Sequence, residues 1–404
     1  MDGFLKKSEL TKVRNPYFSC IACGLHKHTM EPKLDPVGLF KKGIMVIGSK
    51  PFQNDNNEEL WIGDGGDLLN KAFARQGIDL YEDCVSLYAV NCYSGVLPNS
   101  VHINCCRREK VQPAIEEYQP KVIILLGDEA IESVILDRWK KKKKGSLINL
   151  WRGWAIPDQD YKCWICPTYD PRFVKNRDEK IISTVFRQDL EQAFSKLKQP
   201  LPKYKEPNIE YITDLSVLDT IKTDMVAFDY EGTGLKPHAE GHEIICCAVA
   251  YGENNAYSFM LPFGEREKMP LVGLLQNQNI QKIAANMKYE DTWTFELLMK
   301  KLNVKIKGWA WDTMLGAHIL DQRSYVTGLK FQTYVNFGIA DYDSDMEDIL
   351  QAPGSANDFN KLKKFVGTKS GIDTTLKYCG LDAIYEYRLA MKQMKELNWN
   401  FLYL

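Results

Sequence analysis

The stretch VAFDYEGTGL, residues Val226–Leu235, decides the fold of the second half of this chain. A short apolar run ends in two acids one residue apart, and a glycine turn follows. This pattern predicts a buried strand that carries Asp229 and Glu231 to its end. Because side chains alternate along a strand, both carboxylates leave one face while Phe228 and Tyr230 point to the other. Such a pair can share a divalent metal ion, and an edge strand with solvated acids is the alternative for a DxE pattern taken alone.

The composition bounds the possible architectures. The chain has 404 residues, of which 45% are hydrophobic and 26% are charged, so it can form two or three domains with ordinary cores. The net charge of −1 gives no global electrostatic attraction for nucleic acid, so any contact with nucleic acid must use local patches.

The amino-terminal residues MDGFLKKSEL are polar, unlike a signal peptide. No apolar run approaches the roughly 20 residues that span a bilayer. The sequence therefore predicts a cytoplasmic protein, in the host cytoplasm if it is viral, with no membrane partner.

The cysteines are distributed unevenly. Their number, 11, is odd, and without a secretion signal it argues against a disulfide framework. Cys20 and Cys23 form a CxxC pair in a turn-like segment, a spacing at which two thiolates can hold one metal ion or one iron of a cluster. We expect the second CxxC pair, Cys163 and Cys166, to pack within a strand. We expect three later cysteines to be buried apolar side chains. These packing cysteines are Cys163, Cys166, Cys246, Cys247 and Cys379.

Strands and helices are predicted to alternate over residues 1–198, which indicates an α/β domain with a mainly parallel sheet. The expected strands are Gly43–Gly48, Val85–Asn91, Lys121–Leu126 and Cys163–Pro167. The expected helices are Gly66–Arg75, Arg107–Glu117 and Glu179–Leu197.

Several motifs in this half resemble the iron–sulfur branch of the uracil-DNA glycosylase superfamily. In chain order they are the CxxC pair, GSKPF at Gly48–Phe52, LWIGDGGDLL at Leu60–Leu69, VNC at Val90–Cys92, CCRRE at Cys105–Glu109, PKVIILLG at Pro120–Gly127 and PTYDP at Pro167–Pro171. The resemblance implies a [4Fe–4S] cluster on Cys20, Cys23, Cys92 and one of Cys105 or Cys106. Cys106 is favoured because an arginine follows it, and free thiols or a zinc site are the alternative.

The chain departs from this family at the positions that carry its chemistry. Ser49 stands where the family has a glutamate, Asp170 where it has a histidine, and Tyr88 where an asparagine would read the uracil edge. Trp61 retains the aromatic that stacks on the base. The resemblance therefore implies a DNA-binding fold without excision activity, and an active uracil-DNA glycosylase is the alternative.

One dense run of five lysines follows a tryptophan in this half of the chain. Adjacent lysines form either a solvated loop or a phosphate-contacting arm beside the tryptophan. We keep both interpretations. The candidate DNA-binding residues of this segment are Trp139, Lys140, Lys141, Lys142, Lys143 and Lys144.

A linker is predicted over residues 199–208, QPLPKYKEPN, because it holds three prolines and no apolar periodicity. The second domain is predicted over 209–404, again α/β, with further strands at Glu243–Tyr251 and Asn255–Pro262. Asp373 is expected to cap a late helix on which Tyr378 and Asp382, four residues apart, share a face.

Three segments of the second half resemble the 3′-5′ proofreading exonuclease domain of family-A DNA polymerases, the tyrosine-bearing DEDD class with a ribonuclease H-like fold. They are the DxE strand, ANMKYED at Ala285–Asp291, and YCGLD at Tyr378–Asp382. The resemblance implies that Asp229, Glu231 and Asp382 hold one of two Mg²⁺ or Mn²⁺ ions and that Tyr378 orients the attacking water.

The acid of the middle motif departs from the family, because Glu290 stands where aspartate is usual. Glu290 is the favoured ligand of the second ion, and the neighbouring Asp291 is the alternate. The resemblance implies that Thr233, Leu235 and Asn286 contact DNA. Asp312 is expected to cap a helix.

The expected activity is two-metal hydrolysis at single-stranded or frayed 3′ ends of DNA, as in bacteriophage replication. The chain ends where a polymerase would begin, so it is either a fragment of a larger polymerase or a nuclease that works beside a separate one. A non-catalytic DNA-binding or replisome-docking platform is the alternative function.

Overall fold

The computed structural model describes residues 20–29, 32–94, 97–139, 146–261, 264, 266–354 and 358–399. The described residues form two compact units. The first comprises those up to Pro202 together with Val335–Ile339, and the second comprises Lys203–Tyr334 and those from Ala340 onward. Across the described ranges, no helix is both long and apolar enough to span a membrane.

The first unit contains a five-stranded sheet of order β2-β1-β3-β5-β4. Its strands are β1 (Ile44–Gly48), β2 (Cys84–Tyr88), β3 (Val122–Leu126), β4 (Ile156–Asp158) and β5 (Cys163–Thr168). Neighbouring strands are parallel except for β4, which pairs antiparallel with β5. The mainly parallel sheet predicted from the sequence is confirmed.

Helices accompany this sheet. They are α1 (Cys20–Cys23), α2 (Asp64–Ala74), α3 (Ser100–Cys106), α4 (Gln112–Tyr118), α5 (Asp128–Val134), α6 (Leu147–Trp151), α7 (Pro171–Arg177) and α8 (Lys180–Ser195). A π-helical turn, Arg107–Val111, joins α3 to α4. The helix expected at 107–117 is therefore part of a longer helical segment, interrupted where one extra residue is inserted.

Every residue of β1, β2 and β3 is buried, as expected of a parallel sheet with both faces covered. The core joins strand residues such as Ile44 and Ile124 to Phe73 of α2 and Phe186 of α8. The two cysteines of β5, Cys163 and Cys166, are buried, which confirms their packing role.

The second unit contains a six-stranded mixed sheet of order β11-β10-β7-β8-β9-β6. Its strands are β6 (Asn208–Tyr211), β7 (Met225–Gly232), β8 (Ile244–Ala250), β9 (Asn255–Met260), β10 (Gln281–Ala284) and β11 (Trp309–Asp312). The DxE strand β7 is an interior strand, antiparallel to β8 and parallel to β10. The edge-strand alternative is therefore wrong.

Further helices occur in the second half of the described chain. They are α9 (Met269–Gln276), α10 (Met287–Thr294), α11 (Thr313–Leu320), α12 (Leu329–Phe337), α13 (Glu347–Leu350), α14 (Leu362–Phe365) and α15 (Lys369–Glu396). The 28-residue α15 packs across β7, β8 and β9. Both units are thus α/β, and the mixed sheet with its long crossing helix agrees with the ribonuclease H-like fold expected of the second.

The two faces of β7 carry the chemistry expected from their alternation. Phe228 and Tyr230 lie in the hydrophobic core, with ring centroids 5.6 Å apart. Asp229 and Glu231 therefore leave the opposite face, which confirms the predicted orientation.

The cap predicted for α15 is wrong. The helix begins at Lys369, and the Thr368 hydroxyl accepts a hydrogen bond from the Gly371 backbone N–H at 3.0 Å. Asp373 lies inside the helix because a threonine directly before Lys369 already caps it.

Candidate functional site

An acidic centre forms where α15 crosses β7. One carboxylate oxygen from each of Asp229, Glu231 and Asp382 lies within 4.8 Å of the other two. The strand presents the first two acids on one face, and the helix brings the third from a distant part of the sequence. Oxygen ligands at this spacing suit a hard divalent cation such as Mg²⁺ or Mn²⁺.

The burial of this centre disfavours the charged state of its acids. Burial is the largest cause that raises the pKa of Asp229, to about 8, and Asp382 raises it further. Burial also raises the pKa of Glu231 well above its ordinary value, with added repulsion from Asp229 and Asp382. A bound cation would relieve this repulsion, so the donor set fits the metal ions that the sequence motifs imply.

The turn after β7 is held by hydrogen bonds from a distant loop. The Asn360 side chain donates to the Gly232 carbonyl at 2.8 Å, and its backbone N–H donates to the Thr233 carbonyl at 3.1 Å. Thr233 is buried and exchanges hydrogen bonds with Glu243, whereas Leu235 is 65% exposed. Of these two candidate DNA contacts, Leu235 presents its side chain to solvent.

The middle motif opens α10, and its acids lie in different environments. Glu290 is only 2% exposed, and its Oε2 has no hydrogen-bond partner. Burial raises its pKa well above the ordinary value, and Asp229 raises it further, so the side chain lies within electrostatic reach of the acidic centre. Asp291 is exposed and accepts a hydrogen bond from the Trp309 indole at 3.3 Å. The geometry favours Glu290 over Asp291.

Asp312 acts as a cap, as predicted. Its carboxylate accepts from the backbone N–H groups of Met314 and Leu315 at the start of α11. It also accepts from the N–H groups of Asn286 and Met287 at the start of α10. Asn286 is exposed and has a left-handed backbone, with φ of 67°.

Tyr378 lies one helical turn before Asp382 on α15 and is 8% exposed. Burial raises its pKa well above the ordinary value, and Asp382 and Glu231 raise it further. The phenol therefore stays protonated and can donate a hydrogen bond at the edge of the acidic centre.

Three residues of the centre were not predicted from the sequence, and two of them, Lys330 and Tyr342, bind Asp382. The Lys330 ammonium pairs with Asp382 Oδ1, and the Tyr342 hydroxyl donates to the same oxygen at 2.6 Å. Tertiary packing alone brings them there from α12 and from the loop after it, so local sequence patterns carried no signal for either.

Glu386 is the third residue that was missed. It is 1% exposed, and its Oε2 has no hydrogen-bond partner. Burial raises its pKa well above the ordinary value, and Asp229, Glu290 and Asp382 add repulsion. Its position four residues after Asp382, on the same helix face, was the signal that could have revealed it.

Cys379, on α15, contacts the acidic centre at Asp229. Its thiol lies 3.5 Å from the Asp229 carbonyl oxygen and 3.7 Å from the Asp229 Oδ2. It also hydrogen-bonds with Cys246, and both are fully buried. Cys246, Cys247 and Cys379 are buried as predicted.

In the first unit, five cysteines from separate segments converge. Cys23 packs against a small cluster that contains Cys92 and Cys106, and Cys105 hydrogen-bonds with Cys23. Burial raises the pKa of Cys105 to about 11 and of Cys106 to about 12, and both are raised further by Cys20 and Cys23. The geometry keeps both Cys105 and Cys106 as candidates.

The residues that stand at the family's base-reading positions are engaged in internal contacts. Tyr88 donates its hydroxyl to Asp55 at 2.5 Å, and its ring lies 4.8 Å from that of Trp61. Trp61 is 3% exposed and also contacts Phe52. The aromatic expected to stack on a base is thus covered by protein.

Ser49, Asp170 and Arg172 line a cleft of about 470 Å³. The Ser49 hydroxyl donates to the Leu126 carbonyl, and Arg172 forms a two-pronged ion pair with Asp170 at 3.0 and 2.6 Å. Ser49 and Asp170, which stand at the family's glutamate and histidine positions, therefore both form hydrogen bonds within the protein.

The candidate DNA-binding segment is described only at its tryptophan. Trp139 is 9% exposed and packs edge-on against Trp151, so its ring belongs to the interior. The five lysines of the run lie outside the described residues, so their contact with phosphate stays a prediction. They are Lys140, Lys141, Lys142, Lys143 and Lys144.

Comparison with protein families identifies both halves of the chain. Residues 37–198 match the uracil DNA glycosylase superfamily, and residues 210–398 match a 3′-5′ exonuclease family. The chain therefore carries a domain of the glycosylase superfamily followed by a 3′-5′ exonuclease domain, as the sequence motifs predicted. No curated protein matches the chain in sequence.

Several solved nuclease structures are similar to part of the chain. NrnC of Brucella melitensis is 19% identical over 47% of this chain and 82% of its own, with a TM-score of 0.34. RNase D of Escherichia coli is 16% identical over 47% of this chain and 45% of its own, with a TM-score of 0.34. The catalytic core of RRP6 from Trypanosoma brucei is 10% identical over 49% and 51%, with a TM-score of 0.35.

Proposed function

We propose that the exonuclease domain removes nucleotides from single-stranded or frayed 3′ ends of DNA, with two Mg²⁺ or Mn²⁺ ions. The single observation that carries this proposal is the convergence of Asp229, Glu231 and Asp382 within 4.8 Å, in a domain that matches the 3′-5′ exonuclease family. The buried, partnerless Oε2 of Glu290 adds a fourth acidic ligand group.

Each residue then has a defined role. Asp229, Glu231 and Asp382 hold one ion, and Glu290 places the second. The bound ions would supply charge compensation for the phosphate and would lower the pKa of water. Tyr378 donates its hydroxyl to orient the attacking water.

The candidate DNA contacts divide by exposure. Leu235 and Asn286 are exposed and contact the terminal nucleotides, while buried Thr233 supports the turn after β7. The lysine run at 140–144 is a candidate phosphate contact of the first domain.

The context of this activity is proofreading in DNA replication, as in family-A polymerases of bacteriophages, beside a polymerase domain or subunit. The preceding domain, of the glycosylase superfamily, favours DNA over RNA as the common substrate of the two halves. We propose residues 199–208 as the linker between a first domain at 1–198 and a second at 209–404.

Digestion of a 5′-labelled single strand tests the activity, with a DNA strand and an RNA strand of one sequence run in parallel. We expect a ladder that shortens from the 3′ end of DNA with Mg²⁺ or Mn²⁺, and none with Asp229→Ala. An intact DNA strand under both metals would reject the exonuclease in favour of a binding platform. Faster RNA digestion would reject the DNA preference.

We further propose that the first domain binds DNA without excising bases and holds a [4Fe–4S] cluster on Cys20, Cys23, Cys92 and Cys106. The packing of half-buried Cys23 against buried Cys92 and Cys106 supports the cluster, because burial raises the pKa of the Cys92 and Cys106 thiols and a bound metal would deprotonate them. The internal contacts of Ser49, Tyr88 and Asp170 support the loss of excision.

Two measurements test this second proposal. Anaerobically purified protein should be brown and contain about four iron atoms per chain, and Cys92→Ser should be colourless. A colourless native protein that binds zinc would reject the cluster. Uracil-containing DNA should acquire no abasic sites, and their appearance would establish glycosylase activity.

A further inference from the structure

Lys330 places a positive charge inside the acidic centre. It lies in the first turn of α12, and its side chain is 18% exposed where it pairs with Asp382, whose side chain is 7% exposed. The Lys330 charge also lowers the pKa of Asp229, Glu231 and Glu386 against the effects of burial. The ammonium thus contacts Asp382 directly and acts on the other three carboxyls through its charge alone.

Two tyrosine rings flank this ammonium. The Lys330 Nζ lies 4.3 Å from the centroid of the Tyr378 ring and 4.6 Å from that of Tyr342. The two rings are stacked, with an angle of 30° between their planes. Aromatic faces attract a cation without neutralising it, so the ammonium keeps a binding position even when its carboxylate partner is engaged elsewhere.

The same carboxylate is required by the metal ions of the proposed reaction. Asp382 Oδ1 already accepts from Lys330 and from Tyr342, while a carboxylate oxygen of Asp382 lies within 4.8 Å of Asp229 and Glu231. A divalent ion held by these three acids would bind the same Asp382 carboxylate that now pairs with Lys330. The ion and the ammonium therefore compete for Asp382.

We propose that Lys330 is the internal counter-ion of the acidic centre. Divalent ions displace the Lys330 ammonium from Asp382, and the released ammonium then contacts a phosphate of the bound nucleic acid. This inference rests on the proposed function. Once the acids are neutralised by metal, the arriving phosphodiester is the anion that an ammonium between Tyr342 and Tyr378 can meet. Lysine binds phosphate as a point charge, which suits a group that changes partner.

The displacement is tested without nucleic acid, by titrating Mn²⁺ and following the free ion by electron paramagnetic resonance. Lys330→Met keeps the length of the side chain and removes the competing charge, so we expect it to bind Mn²⁺ about tenfold more tightly than the native chain. Lys363→Met is the matched control, because Lys363 pairs with Glu243 and its side chain is 72% exposed. Unchanged or weaker Mn²⁺ binding by Lys330→Met overturns the proposal.

The phosphate contact is tested with thymidine 5′-monophosphate and Mn²⁺-saturated protein. We expect Lys330→Met to bind the nucleotide at least about tenfold more weakly, while Lys330→Arg retains most of the affinity. Equal affinity in Lys330→Met overturns this contact. Thermal melting of each variant with Mn²⁺ verifies that it is folded.

These two binding measurements test the role of Lys330 independently of the exonuclease activity. Tighter Mn²⁺ binding and weaker nucleotide binding in Lys330→Met support the role of Lys330 even if the native protein digests no strand. In that case the proposed function fails and the inference about the centre stands.

Discussion

At the scale of single residues, the choice between neighbouring acids is open to a direct test. Glu290 is buried with a partnerless oxygen, whereas Asp291 is exposed and bonded to Trp309. We expect Glu290→Gln to lower the exonuclease rate and the Mn²⁺ affinity at least about tenfold, because it removes an ionisable ligand while preserving shape. Asp291→Asn is the matched control and should stay near the native rate. The reverse order would assign the metal to Asp291.

The acids of the centre also predict how stability depends on pH when metal is removed. Burial raises the pKa of Asp229 to about 8 and raises those of Glu231, Glu290 and Glu386 well above their ordinary values. A carboxyl with a higher pKa in the folded than in the unfolded chain retains its proton on folding. Its contribution to stability is therefore greatest at low pH and is lost as the pH rises through the folded value.

In the presence of a chelator, we expect the Tm of the second unit to fall by at least about 3 °C between about pH 5 and about pH 8. Saturating Mn²⁺ should abolish this fall, because the ionised acids are then the ligands. Differential scanning calorimetry in matched buffers measures both. A Tm that rises over this range without metal would contradict the shifted pKa values.

At the scale of elements, two helical glycines should respond oppositely to the same substitution. A Cβ at Gly371, near the start of α15, would lie 1.9 Å from the Phe365 carbonyl oxygen. A Cβ at Gly273 in α9 would meet nothing within 4 Å. We expect Gly371→Ala to lower the free energy of unfolding by about 1–3 kcal/mol and Gly273→Ala to raise it by up to about 1 kcal/mol.

Urea unfolding followed by circular dichroism measures both changes. Since α15 carries Tyr378 and Asp382, Gly371→Ala should also weaken Mn²⁺ binding, whereas Gly273→Ala should not. Stabilisation by both alanines would show that the start of α15 can shift away from the carbonyl.

The elements also show what the sequence could predict. Alternation in β7 placed Asp229 and Glu231 on one face, and helical spacing placed Tyr378 near Asp382, because both relations are local. The role of Lys330 could not be predicted from the sequence, since its contact with Asp382 depends on how α12 packs against α15. The cap on α15 was misassigned because aspartate and threonine are both good capping residues, and only the observed helix start distinguishes them.

At the scale of the whole molecule, each unit has its own hydrophobic core, one built around Phe73 and Phe186 and the other around Phe228 and Trp293. The acidic centre lies in the second. We therefore expect two calorimetric transitions, of which Mn²⁺ raises only one. At a free Mn²⁺ concentration of about 100 times Kd, the stabilisation should be about 2.7 kcal/mol.

A variant separates this prediction from a general salt effect. Asp382→Asn should remove the Mn²⁺-dependent shift of the transition that belongs to the second unit and leave the other transition in place. A single transition that shifts as a whole would show that the two cores unfold together.

The Cys379 thiol beside Asp229 makes the acidic centre susceptible to binding of thiophilic metal ions. The Cys379 thiol lies 3.7 Å from the Asp229 Oδ2 and forms a hydrogen bond with the Cys246 thiol, so sulfur and carboxylate oxygen are adjacent. Thiophilic ions such as Cd²⁺ prefer this mixed chemistry, whereas Mg²⁺ takes oxygen alone. We therefore expect Cd²⁺ to displace Mn²⁺ from the centre more readily in the native chain than in Cys379→Ala, as followed by the release of free Mn²⁺.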